Sequence, residues 1–390
     1  MARFAIVCEY NPLHRGHVYH LDSARAAGAE YVVCIMSGNF TQRAEPAAAH
    51  KYTRARAALA CSADLVIELP FPYCASSAEI FASAGVAAAD ALMADTVFFG
   101  SECNDIALLE RCARTVCSQE FRQEYKGLIK ANVGTAAAYA QALARTSGDS
   151  LPTLSNDLLG IAYCKAILAG EYDITPLCIG RKGANYNDQA LTDAYPSATA
   201  LRKLWRERGL DALEAHLPKA TYDALCLARA QGELLATNGA YDTALLSILR
   251  MQTPEQIQSC ALCGGGLGDR ILHAAHQATD LDGLYALCAH KSLPDSHVRR
   301  AVLYAALGIT DRDLHRTPAY FSVLAANQAG RKMLAELRRT CPVPLITKPA
   351  DAPDCRQRQL SDRADALYTL AMQTPQDSGF FKRKSPFMAL

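Results

Sequence analysis

The sequence predicts an α/β fold, a Rossmann-like domain built on a parallel sheet and followed by a mostly α-helical domain. Two observations carry this expectation. Through Gly100, compact apolar runs alternate with Ala-rich stretches of helical period, and beyond about Arg208 the alternation gives way to helical segments alone. A third observation places the chemistry: the residues that follow the apolar runs are polar or glycine, which is where open parallel sheets gather ligands. We set the expected boundary between an N-terminal domain, 1–208, and a helical domain, 209–390.

Phe4–Cys8, Tyr31–Met36, Leu65–Leu69 and Thr96–Phe99 read as buried strands, each ending in polar, Gly or Pro punctuation. Between them, His17–Ala27, Ala47–Cys61 and Ser77–Ala91 read as helices. Asn104 to Thr146 is helical, and a loop at 147–152 precedes Leu154-Ser155-Asn156-Asp157, a helix-start signal for the apolar-periodic run Leu158–Leu168. Thr175–Ile179 reads as a further strand, ending at Gly180-Arg181-Lys182-Gly183. Later helices are expected at Asp211–Leu217, Thr221–Ala230, Asp242–Met251, Asp282–His290, Ser296–Ala306, Arg331–Arg339 and Arg363–Met372. Pro342 to Pro353 reads as extended, and the basic tail around Lys382-Arg383-Lys384 is expected to be mobile.

With 390 residues, half of them hydrophobic and 20% charged, the chain can bury a large core. Its longest apolar runs are far too short for a membrane span, and Met1-Ala2-Arg3 leads straight into a strand, so a cytoplasmic protein without membrane contact is expected. The fifteen cysteines are scattered, odd in number and embedded in apolar patterns, which points to reduced core residues. Cys260-Ala-Leu-Cys263 is a lone Cys-x-x-Cys with no second pair at zinc-ribbon spacing, so no metal site is expected. The net charge of +1 hides an asymmetry: from Leu201 onward there are 24 Lys and Arg against 19 Asp and Glu. Clusters such as Arg299-Arg300, Arg331-Lys332, Arg338-Arg339 and Arg356 with Arg358 can meet a phosphate backbone or simply be solvated helix faces.

The most informative stretch is Phe4 to His17, a strand, a Pro-marked turn, and then His14-Arg15-Gly16-His17 opening a helix. A helix N-terminus presents unpaired N–H groups and the positive end of the dipole, and Gly16 allows close backbone approach. Two imidazoles on that turn add donors for charge developing on a transferring phosphoryl group. Downstream, Ser197-Ala198-Thr199-Ala200-Leu201-Arg202 offers a second anion site, in which Ser197 or Thr199 caps a helix and Arg202 projects from its first turns. His14, His17 and Arg202 are therefore the candidate catalytic residues.

A His-x-Gly-His loop paired with a downstream Ser-x-Thr-x-x-Arg cap resembles the nucleotidyltransferase superfamily that shares a fold with class I aminoacyl-tRNA synthetases. Longer blocks narrow the resemblance: Glu9 to His17, Met36-Ser37-Gly38-Asn39-Phe40-Thr41-Gln42-Arg43-Ala44-Glu45-Pro46, Asp64 to Pro70, Phe98-Phe99-Gly100-Ser101-Glu102 and Arg181-Lys182-Gly183-Ala184. On these the chain is similar to the bacterial tRNA(Met) cytidine acetate ligase family. The resemblance implies that acetate and ATP form acetyl-adenylate and that the acetyl group passes to the exocyclic amine of the wobble cytidine of elongator tRNA(Met). Charge neutralisation at the phosphates by His14, His17, Lys or Arg donors and Mg²⁺ is expected for the first step. The resemblance also implies an ATP site formed by Val7, Cys8, Glu9, Tyr10, Asn11, Pro12, Leu13, His14, Arg15, Gly16, His17, Val18, Tyr19 and His20, completed by Gly100, Asn156 and Arg181; Ser197 and Thr199 of the second anion site are added as candidate ATP contacts on their capping position.

Each of these has a plainer reading. Gly100 can be a turn glycine, Asn156 a helix cap and Arg181 a solvated cation; Arg43 and Glu45 can form a structural ion pair, and Lys51, Arg54 and Arg56 can lie on a solvated helix face or face phosphate. Departures from the family pattern are Leu13 for Phe, Arg15 for Asn, Ala44 for Gly and Asn187 for His. Two other functions fit the residues alone, a small-molecule adenylyltransferase and an RNA-binding protein with a regulatory nucleotide site; the basic second half argues against the first.

Overall fold

The computed structural model describes residues 2–131, 133–148, 154–181, 195–290 and 293–389. Lys182, Gly183, Ala184 and Asn187, singled out above, lie outside them, as does part of the 147–152 loop.

The expected alternation forms a sheet. β1 (Arg3–Cys8), β2 (Tyr31–Ser37), β3 (Leu65–Leu69), β4 (Thr96–Ser101) and β5 (Thr175–Gly180) are parallel and stand in the order β5-β4-β1-β2-β3. Strands β2 and β3 are buried at almost every position, as a sheet covered on both faces requires. The crossovers are α1 (Arg15–Ala26), α2 (Lys51–Ala60) and α3 (Ala78–Ala91). α4 (Ile106–Cys117), α5 (Gln119–Lys130), α6 (Thr135–Ser147) and α7 (Ser155–Gly170) connect β4 to β5. From β1 the chain builds outward through β2 and β3, then returns to add β4 and β5 on the other side. Loops after β1 and β4 therefore part in opposite directions and leave a crevice between them, the switch point where ligands of such sheets bind.

After α8 (Ala198–Arg208), the second half is helical as expected at most positions, including helices Lys219–Ala230, Ala240–Arg250, Asp295–Leu307, Gln328–Thr340 and Arg356–Leu370. It also departs from the expectation of helices alone. β6 (Phe321–Ala326) pairs antiparallel with β3, and β7 (Leu345–Ile346) and β8 (Phe387–Met388) both pair parallel with β6. The second half thus caps the sheet edge that β3 would otherwise expose.

The tail corrects another expectation. Phe381 is buried, Lys382 pairs with Asp362 at 2.8 Å, Arg383 with Asp377 at 2.6 Å and Lys384 with Glu233 at 2.7 Å, so the basic terminus is docked rather than mobile. Lys51 and Arg54 are likewise neither solvated nor turned to phosphate. The Lys51 ammonium sits among Glu68 and Asp365, and Arg54 donates to the carbonyls of Glu9, Ser37, Gly38 and Ala49. Arg56 lies over the Phe387 ring at 4.7 Å. The fifteen cysteines are all free thiols, most of them buried, as their apolar settings predicted.

Candidate active site

The turn after β1 and the start of α1 form a structure that the bare pattern does not disclose. His14 is the N-cap in extended conformation, and its Nδ1 accepts from Gly16 N–H at 3.1 Å; His17, at the third helical position, accepts the His14 N–H on its own Nδ1 at 3.2 Å. The two histidines are thus a reciprocal capping box. Their rings stack at 3.7 Å, and Tyr10 sets its ring edge against His17 at 5.0 Å. Because backbone N–H groups occupy both Nδ1 atoms, each neutral imidazole carries its proton on Nε2 and can donate from there.

These rings are held neutral. Burial, with the nearby charges of Arg181 and Arg202, lowers His14 to about 3; burial and His14 push His17 well below its ordinary value; burial and Arg181 lower His20 to about 4. They therefore act as hydrogen-bond donors from neutral rings rather than as cations. The same shifts bear on stability. An unfolded histidine binds a proton near pH 6.5 and the folded ones do not, so stability is retained above that pH and lost as pH falls from 6.5 toward 4. His20 stacks on Phe98 at 5.0 Å, and its Nε2 has no partner among the described residues. Melting curves at pH 7.5 and 5 should show a smaller acid penalty for His20→Phe than for the parent chain; equal penalties would contradict the assignment.

Opposite, the end of β4 brings Gly100 against Arg181, where an added Cβ would come within 3.2 Å of the arginine Cγ. Glu102 accepts from the Asn156 amide at 2.5 Å and from Asp157 N–H at 3.0 Å, while the Asp157 carboxylate takes Ser101 Oγ–H and the N–H groups of Glu102 and Cys103. Asn156 is thus fixed by a side chain of the β4 loop and is not the helix cap. Ser197, and not Thr199, caps α8 by accepting from Ala200 N–H at 3.1 Å. Arg202 donates to Asn11 carbonyl at 2.9 Å and to Thr199 Oγ1 at 3.4 Å, tying the second anion site to the first.

Together these elements wall a cavity of about 650 Å³. Val7, Cys8, Glu9, Tyr10, Asn11, His14, Gly16, His17, Tyr19, His20, Gly100, Asn156, Arg181, Ser197 and Arg202 all line it. Five expected contacts are placed elsewhere. Pro12 and Leu13 are buried and line a small separate void that Trp205 and Leu225 also line, Arg15 points outward to Ala215 carbonyl at 2.8 Å, Val18 packs on the core, and the Thr199 hydroxyl serves Arg202.

Sequence reasoning missed how much the second half adds. Asp295, Ser296, Arg299 and Arg300, at the start of helix Asp295–Leu307, line the same cavity with Gln42, Arg43 and Glu45 from the loop after β2. Arg299 pairs with Glu45 at 2.7 Å and lies over the Tyr285 ring at 4.7 Å, so the partner of Glu45 is Arg299. Arg299-Arg300 had stood out only as one basic cluster among several. Of the others, Arg356 is spent on Asp313 and Arg358 on Ala352 carbonyl.

Comparison with known proteins identifies the family and the fold. A family model described as HIGH Nucleotidyl Transferase matches residues 1–381. The tRNA(Met) cytidine acetate ligase of Caldanaerobacter subterraneus subsp. tengcongensis is 34% identical, over 95% of this chain and 96% of its own. That of Limosilactobacillus reuteri is 35% identical, over 97% and 98%. The crystal structure of Thermotoga maritima TmcAL in its apo form superposes with a TM-score of 0.92 at 28% identity, and the same protein bound with alpha-thio ATP with 0.90 at 27%; each covers the whole of both chains.

Proposed function

Because the chain belongs to the family of tRNA(Met) cytidine acetate ligases, we propose that it activates acetate with ATP and transfers the acetyl group to the wobble cytidine of elongator tRNA(Met) in the cytoplasm. The observation that carries this reading is the single cavity reaching from the paired histidines to Arg299 and Arg300. One end suits a nucleotide's phosphates, and the other, built by the basic half, suits RNA.

In the first step an acetate oxygen attacks the α-phosphorus of ATP and pyrophosphate leaves. A carboxylate needs no general base for this, so the protein's work is positioning and stabilising charge. The Nε2–H groups of His14 and His17 and the guanidinium groups of Arg181 and Arg202 are the donors we assign to it. In the second step the cytidine amine attacks the acyl carbon, its bond to the adenylate oxygen breaks, and AMP leaves. The residues of Val7 to His20 that line the cavity, with Gly100, Asn156, Arg181 and Ser197, remain our candidate ATP contacts, and Thr199 acts through Arg202.

Among the described residues no group of three or more His, Cys, Asp or Glu is set for a metal ion. We propose that Mg²⁺ arrives with ATP, held by its phosphates, which is how this ion commonly enters nucleotide sites. No helix among the described residues is long and apolar enough to cross a membrane.

Incubation with ATP, radiolabelled acetate and unmodified elongator tRNA(Met), followed by nucleoside analysis, is expected to place label in acetylcytidine. Pyrophosphate formation should require acetate. No label with competent tRNA would overturn the ligase reading and favour a small-molecule adenylyltransferase.

A further inference from the structure

The second step releases a proton from the cytidine amine, and the cavity holds few groups able to take it. His14 and His17 are poor candidates, because their Nδ1 atoms are occupied by backbone N–H groups, their Nε2 atoms carry protons, and burial has made the rings weak bases; His20 is a weak base as well, lowered to about 4 by burial and Arg181. Burial holds the Tyr163 hydroxyl and the Cys8 thiol protonated at neutral pH by raising both. Among the described residues, the carboxylates lining the cavity are Glu9, Glu45 and Asp295. Glu45 is engaged by Arg299 at 2.7 Å, and Asp295 is exposed on the first turn of its helix.

Glu9 differs from both. It closes the C-terminal end of β1, half-buried, directly before the turn into the paired histidines. One oxygen, Oε1, accepts the Gln42 N–H at 2.7 Å, which fixes the carboxylate against the loop after β2. The second, Oε2, has no hydrogen-bond partner among the described residues. Glu9 therefore lines the cavity directly before the histidine pair and is bonded to the Gln42–Glu45 loop, whose Glu45 pairs with Arg299 of the helix Asp295–Leu307.

We propose that Glu9 is the general base of acetyl transfer, its Oε2 accepting the proton that the cytidine N4 loses as the N–C bond forms and AMP departs with the C–O electron pair. The proposal rests on the ligase reading. The surroundings tune the carboxylate in the required direction: burial raises it above the ordinary range, outweighing the Gln42 N–H and the charges of Arg202, Arg54 and Arg43 that pull it down. Cys8 and Tyr163, also on this wall, are neutral and add no charge. A raised carboxylate is the stronger base once ionised.

The test separates the two steps. Glu9→Gln keeps an oxygen for the Gln42 N–H, so the loop anchor survives. Because Glu9 also lies among the candidate ATP contacts, acetate-dependent ATP–pyrophosphate exchange is expected to weaken through ATP affinity, its ATP KM rising up to about tenfold while the exchange rate at saturating ATP falls far less than transfer. Transfer from synthetic acetyl-adenylate to tRNA(Met), followed at single turnover, is expected to fall about 100-fold or more. Parent transfer should decline as pH drops through a value above the ordinary carboxylate range, and Glu9→Gln should lose that dependence while Glu9→Asp keeps it at reduced rate. Transfer by Glu9→Gln at the parent rate, or equal loss of both steps, would overturn the proposal. Absence of acetate-dependent exchange in the parent chain would instead overturn the ligase reading on which it rests.

Discussion

Replacing His17 by alanine is expected to lower acetate-dependent ATP–pyrophosphate exchange about 100- to 1,000-fold, the loss typical of removing one preorganised donor from a developing oxyanion. The side chain has two roles on opposite sides of one ring. Its Nδ1 accepts the His14 N–H and closes the helix start, while its Nε2–H is the donor we assign to the phosphates of ATP in the cavity that His17 lines. Alanine removes both, and loss of the cap alone should cost about 1 kcal/mol of stability. Glutamine separates them, because a glutamine at the third helical position can take the same backbone N–H. His17→Gln is expected to recover the stability of the parent chain but to stay at least about tenfold down in exchange, since its amide lacks the stack against His14 that fixes the donor. Exchange by His17→Ala within threefold of the parent would remove the imidazole from the mechanism. Activity should also show no loss between pH 6 and 8 from histidine titration, because the rings are already neutral there. A rate that fell as pH rose through 6.5 would instead require a charged imidazole.

How far the sequence discloses this molecule depends on whether the physics is local. β1 to β5 were readable because each is a short apolar run with punctuation, and the crevice follows from strand order once the alternation is recognised. His14 and His17 were readable as a helix start; that they cap each other through Nδ1, and so fix which nitrogen donates, needed the backbone path. β6 was missed because Phe321-Ser-Val-Leu-Ala-Ala326 is six residues of mixed propensity in a helical setting, and only the open edge of β3 makes it a strand. The tail misled for the opposite reason. Its charges imply solvation, yet Asp362, Asp377 and Glu233 supply a partner for each. Two of these lie within about 20 residues of the tail, but no local rule pairs them. Arg299 and Glu45 are 254 positions apart, so no local pattern could join them.

The largest stability effect is expected at Lys51, which composition alone would have left on a helix surface. Its ammonium is buried and bonds both Glu68 oxygens, at 2.9 and 3.1 Å, and Asp365 at 2.9 Å, while Asn39 donates to the second Asp365 oxygen at 2.8 Å and accepts the Lys51 N–H at 2.9 Å. The cluster joins β3, α2 and the helix Arg356–Leu370, and so fastens the C-terminal half to the sheet. Despite burial, the two carboxylates hold the lysine well above its ordinary value, so it stays charged. Lys51→Met leaves the buried Glu68 and the half-buried Asp365 carboxylates without the cation they share, and the expected loss is about 3–5 kcal/mol, read as a lower midpoint in urea. The backbone offers little relief: a Cβ on Gly38 would already stand 2.5 Å from Glu68 Oε1, so the carboxylate is packed in place. If the penalty comes from uncompensated charge rather than lost packing, neutralising the partners should reverse it. The triple change Lys51→Met, Glu68→Leu, Asp365→Asn is therefore expected to recover most of the loss, because apolar replacement of a whole buried ion cluster is often neutral or stabilising. A triple variant no more stable than Lys51→Met would mean that the methylene stem and the shape of the site, not its charge balance, hold the two halves together.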